Sequence, residues 1–116
     1  VTPFGARLRA LRHARGVTLG AMAEAMQLSS AYLSALENGH RGRPSAGLIH
    51  QVCEFFGLIW DEADELSRLA QLSHPRVVID TAGLAPEATE LANRLALRIA
   101  ELPPERLAAM LRLLDR

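Results

Sequence analysis

All thirteen basic residues of this 116-residue chain are arginine. Arginine carries a permanent charge on a planar fork of donors that matches phosphate and carboxylate oxygens. Six of them, Arg7, Arg9, Arg12, Arg15, Arg41 and Arg43, lie in the first 44 residues against only Glu24 and Glu37. Residues 45–72 reverse the balance, with Glu54, Asp61, Glu62, Asp64 and Glu65 against Arg68, and the rest of the chain carries six of each sign. The formal net charge of zero therefore hides a basic N-terminal third, and a phosphate backbone responds to that local field rather than to the average.

Other chemistries find little support. The lone Cys53 cannot form an intramolecular disulfide and leaves too few sulfurs for a zinc finger. His13, His40, His50 and His74 lack the close helical pairing of metal ligands, so the sequence is read as holding no metal and no cofactor. Cys53 reads as a small buried apolar residue. The acids at 61–65 read as a helix N-terminus complementing its dipole, with a protein contact as the alternative. No nucleophile and base are placed together and no glycine-rich phosphate cradle is present, so the chain is read as not an enzyme.

The elements that must position the arginines are helical. Hydrophobic residues make up 49% of the sequence but aromatics only 4%, so the core is expected to be built from aliphatic helix faces. Phe4, Leu8, Leu11 and Ala14 recur at helical spacing, and Gly16 closes that first helix. Thr18 caps a second to about Met26, around Leu19, Met22, Ala23 and Met26; Ser29-Ser30 cap a third to about Asn38, with Leu33 and Leu36 inward. After the basic loop at 40–44, Ser45 caps a fourth helix bearing Leu48, Ile49, Val52, Cys53 and Phe56, which Gly57 stops. A fifth begins near Asp61 with Leu66, Leu69 and Leu72 on its inner face, and Trp60 is expected to pack. Residues 76–81 read as an extended piece or a small strand. Pro86 and Pro103-Pro104 then open two further amphipathic helices, to about Leu102 and to the chain end. No run is long and apolar enough for a membrane span, and the first residues lack a signal-peptide layout, so a cytoplasmic protein with no membrane association is expected.

Within this pattern residues 18–39 place the small Ala23 between two short helices, then a turn, then inward Leu33 and Leu36. Two helices crossing steeply need a small residue at closest approach, and the second is left with its N-terminal face free, the face that enters a major groove. The Leu-Arg-x-Leu-Arg run before Gly16, Ala23, the segment Tyr32-Leu33-Ser34-Ala35-Leu36-Glu37-Asn38-Gly39 and the basic loop before Pro44-Ser45 resemble the phage-repressor-like (XRE/Cro) helix-turn-helix family from about Phe4 to Leu69. The composition reads as an all-α fold; the resemblance implies a five-helix lambda-repressor-like DNA-binding bundle over 1–72, and the helices left over are read as a two-helix C-terminal dimerisation region over 73–116. The resemblance further implies that Arg12 pairs with Glu37, tying helix one to the recognition helix. Ser29, Ser30, Ala31, Ser34 and Ala35 would face the bases of double-stranded DNA. Thr18, Tyr32, Asn38, Arg41 and Arg43 would lie at the sugar-phosphate, fixing register without reading sequence. Arg7 and Arg9 stand between a phosphate role and a solvated face. Two departures matter: Leu19 replaces the glutamine common at the start of helix two, and Gln27 replaces the turn glycine and must accept a left-handed conformation or alter the turn.

The recognition face is small-chained and has no Arg, Lys or Gln in its first turn, so specificity would rest on serine hydroxyls, thymine methyls and DNA shape. One such unit reads few base edges, and useful specificity calls for two copies about 34 Å apart along the duplex. The two C-terminal helices are the expected homodimer surface, with Leu91, Leu95, Ile99, Leu107, Leu111 and Leu114 buried across a two-fold axis. Residues 76–81 are placed to cross over and pair with the mate. The leading reading is a homodimeric repressor, the chain having no room for a sensing domain. The alternative is an antitoxin-type DNA-binding protein whose C-terminal helices grip a regulatory protein partner.

Overall fold

Side-chain hydroxyls start four of the first five helices. In the computed structural model, which describes residues 1–115, Thr2, Thr18, Ser29 and Ser45 each accept a hydrogen bond from the backbone N–H three residues on, at 3.0, 3.1, 3.0 and 3.1 Å. These caps open α1 (Pro3–Arg15), α2 (Leu19–Ala25), α3 (Ser30–Glu37) and α4 (Ala46–Phe56), and each such cap contributes about 1 kcal/mol. Gly16 and Gly57, with φ of 65° and 69°, end α1 and α4 in the left-handed conformation that glycine adopts without penalty. α5 (Asp61–Gln71) has no side-chain cap, and its first turn instead carries Asp61, Glu62 and Asp64. α6 (Pro86–Arg98), a 3₁₀ turn at Ile99–Glu101 and α7 (Pro104–Leu114) complete the chain. The described residues contain no strand, and no helix among them is long and apolar enough to cross a membrane.

The chain divides into two compact units, Val1–Val77 and Val78–Arg116. In the first, α1 packs on α3 and α5, α2 on α3, and α4 on α5. Phe4, Leu8, Met22, Ala23, Leu33, Leu36, Val52, Phe56 and Leu66 are buried between them. Ser73 closes this unit. Its hydroxyl is buried, accepts from the Phe4 N–H at 2.8 Å and donates to the Leu69 carbonyl at 2.6 Å, tying the end of α5 to the start of α1. The boundary expected after residue 72 falls, in the packed structure, between Val77 and Val78.

Several side chains sit otherwise than periodicity suggests. Ala14 is exposed, because Arg12 takes the inward position of that turn of α1. Leu72 is exposed and follows the last residue of α5; the buried line of that helix is Leu66, Ala70 and Ser73, at i, i+4 and i+7. Trp60, expected to pack, is 81% exposed. It stands at the corner of a turn closed by the Glu62 N–H on the Ile59 carbonyl (3.2 Å), with φ 53° and ψ −124°, a geometry glycine ordinarily fills and one that turns the indole away from the core. Of residues 76–81, expected to be extended, Arg76 lies in a bend and 77–81 adopt neither helix, turn nor bend; none forms a strand, there being no neighbouring strand to pair with among the described residues.

In the second unit α6, the 3₁₀ turn and α7 bury no residue fully. Their leucines converge instead on an open groove of about 270 Å³ lined by Leu91, Leu95, Ile99, Leu107, Met110, Leu111, Leu113 and Leu114.

Candidate nucleic-acid interface

The turn between α2 and α3 is set by one left-handed residue. Gln27, where a glycine was expected, takes φ 58°, and the Leu28 N–H reaches back to the Ala23 carbonyl at 2.8 Å. A side chain in this region costs about 1 kcal/mol relative to glycine, and here it keeps the turn. Ala23 and Met22, buried on the inner face of α2, permit the close approach to α3.

The far end of α3 is clamped to α1. Glu37, 2% exposed, accepts from Arg12 Nε at 3.0 Å and Nη2 at 3.2 Å, and from Arg9 Nε at 3.1 Å. Arg12 also reaches the Val17 carbonyl at 3.4 Å, so its buried charge is shared between the clamp and the start of the α1–α2 connection. Arg9 extends the network to Asn38 Oδ1 at 2.9 Å, while Asn38 Nδ2 donates to the Ser34 carbonyl at 2.9 Å. Below the arginines, the α1 backbone touches α3 directly. A Cβ on Gly5 would lie 2.7 Å from the Glu37 carbonyl carbon and run into its oxygen, and Thr2 donates to that same carbonyl at 3.2 Å.

Arg9 and Gly5 were not singled out by sequence reasoning as parts of this clamp. The signal was present, because Gly5, Arg9 and Arg12 stand at i, i+4 and i+7 on one face of α1. Arg12 and Glu37, expected as a pair, lie in bidentate contact.

With its C-terminal end held, α3 presents its N-terminal end outward. Ser29, Ser30 and Ala31 are exposed, whereas Ser34 and Ala35 are half-buried. Ser29 Oγ already accepts from Tyr32 N, so its hydroxyl proton remains to be donated outward, and the same holds for Thr18 at the start of α2. Tyr32 is half-buried, and the Arg41 guanidinium lies over its ring, 5.5 Å from the centroid. This stacking holds one of the two loop arginines beside α3. Arg43 is exposed, next to the buried Pro44. Asn38, expected at a phosphate, has its amide engaged with Ser34 and Arg9. Arg15 turns away from this face: it donates to the Phe56 carbonyl at 2.6 Å and lies over the Phe56 ring, bracing α1 against α4.

Outside this face an ion pair and burial each perturb one titratable group. Glu65 is held below the usual carboxylate range by its hydrogen bonds from Arg68, at 3.0 and 2.8 Å. Burial pushes the Cys53 thiol up. Among the described residues no three His, Cys, Asp or Glu side chains converge as metal ligands.

A helix, a left-handed turn and a second helix whose N-terminus is held clear of a five-helix bundle define the helix-turn-helix class. A family model described as a helix-turn-helix domain matches residues 3–74, and the chain belongs to that family. It is also 42% identical over 52 residues to an uncharacterized HTH-type transcriptional regulator, RghRB, of Bacillus subtilis (strain 168). That match covers 45% of this chain and 37% of the relative, so the chain spans well under half of that protein. No solved structure matches the chain.

Proposed function

We propose that the chain is a sequence-specific DNA-binding transcriptional regulator, a homodimeric repressor that reads a palindromic operator through the major groove and has no catalytic role. The supporting observation is the asymmetry of α3. Its C-terminal end is fixed by the Arg9–Arg12–Glu37 clamp, while Ser29, Ser30 and Ala31 stand exposed at the other end, within the arginine-rich third of the chain. Ser29, Ser30 and Ala31, with Ser34 and Ala35 deeper on the helix, would meet base edges. Thr18, Arg41 and Arg43 would hold the phosphates, with Tyr32 fixing Arg41; Asn38 would act by orienting the end of α3. The leucine groove of α6 and α7 is the proposed dimer surface, since a leucine face open to water is relieved by a second copy of itself. The Bacillus relative, named as a transcriptional regulator, agrees with this reading.

Selection from a random pool of DNA duplexes tests it, comparing wild type with the Arg41→Ala/Arg43→Ala double variant. The expected result is a two-fold symmetric motif for wild type. The variant should keep that motif, bind all sequences more weakly and have a salt dependence shallower by about two ion equivalents per protomer. No enriched motif would overturn the operator reading and direct attention to a protein partner for α6 and α7, as in an antitoxin.

A further inference from the structure

We infer that residues 76–80 pair with the same residues of a second copy as a short antiparallel ribbon whose two-fold axis passes through Val78. The inference deepens the homodimer reading above and rests on it.

The segment Arg76-Val77-Val78-Ile79-Asp80 carries three consecutive β-branched residues that are 71%, 92% and 60% exposed. Among the described residues none of the backbone N–H or C=O groups of these three has a hydrogen-bond partner. Exposed β-branched side chains on an unpaired, unbent backbone are what a sheet edge offers to another strand.

The identity of that strand follows from charge and symmetry. In an antiparallel pair centred on Val78, Val78 faces Val78, Val77 faces Ile79, and Arg76 faces Asp80 at both ends. Side chains alternate across the ribbon, so Val77 and Ile79 of the two copies form one apolar face, and Arg76, Val78 and Asp80 form the other. Centring the axis one residue earlier sets Arg76 against Val78 and Asp80 against His74, and the charge match is lost. Both charged ends are available. Arg76 makes no ion pair among the described residues. Asp80 uses Oδ1 to accept from the Ala82 N–H at 2.9 Å, which leaves Oδ2 for the facing arginine. A ribbon this short does not hold alone, and it would act together with the leucine faces of α6 and α7 under one two-fold axis.

Charge reversal in the full-length chain, read by sedimentation equilibrium, tests the pairing. Arg76→Glu and Asp80→Arg should each weaken self-association about tenfold, because each places two like-charge pairs across the axis. The Arg76→Glu/Asp80→Arg double variant should return to within about threefold of wild type, and an equimolar mixture of the two single variants should prefer the mixed dimer, in which both pairs are again opposite in sign. In a Cys53→Ala background, Val78→Cys should oxidise to a disulfide dimer faster than Leu84→Cys, since directly opposed residues fall within disulfide reach. If wild type dimerises but the charge variants associate unchanged and Val78→Cys links no faster than Leu84→Cys, the ribbon is wrong and the dimer reading stands. If wild type sediments as a monomer at every concentration, the dimer reading fails and the ribbon with it.

Discussion

The two compact units handle charge and apolar surface in opposite ways. Residues 1–77 close around a core of buried apolar side chains and bury even a carboxylate, Glu37, which is satisfied by two arginines. Residues 78–116 leave every helix without a fully buried residue and draw their leucines to an open groove. The first unit closes around a buried core; the second leaves its leucines open to solvent. Two short amphipathic helices cannot exclude water from both sides of a core, whereas five helices can.

Substitutions sharpen the contrast. The largest loss is expected from Glu37→Ala, which leaves the mostly buried Arg12 guanidinium without its carboxylate. About 3–5 kcal/mol of stability should disappear, read by urea unfolding followed by far-ultraviolet circular dichroism. Gly5→Ala comes next. The added methyl meets backbone rather than a flexible side chain, so α1 and α3 must separate, at a cost of about 1–3 kcal/mol. Trp60→Gly should act with the opposite sign and raise stability by about 1 kcal/mol, because it removes a positive-φ side chain that packs on little. A loss on that change would show that the indole contributes packing. The smallest effect falls in the second unit: Leu111→Glu, at a residue 63% exposed, should move the unfolding free energy of residues 1–77 by less than about 0.5 kcal/mol. The same change should weaken self-association, and a large fall in the stability of the N-terminal unit would break the comparison.

Much of the first unit was legible because its signals are local. The hydroxyl caps at Thr18, Ser29 and Ser45, the stops at Gly16 and Gly57, and the 3.6-residue stripes of α1, α3 and α4 act within one or two turns of chain. Gly5 and Arg9 were less visible: they share a face of α1 with Arg12, but their roles depend on α3, which arrives 28 to 32 residues later. Trp60 and Leu72 show the reverse error. A large apolar residue suggests burial, but the turn geometry at Trp60 and the end of α5 just before Leu72 turn those side chains outward. On the candidate interface, the types and order of residues 29–43 made α3 and the basic loop after it legible. The stacking of Arg41 on Tyr32 and the engagement of Asn38 by Arg9 required the packed structure.

The exposed turn at residue 60 carries the chain's single tryptophan, which makes the protein its own optical probe of a particular kind. An indole already in water emits at long wavelength when folded, so melting of the helical core should scarcely move its emission maximum. A shift to shorter wavelength would instead signal that something has settled on the corner between α4 and α5, and would do so in a protein carrying no added label.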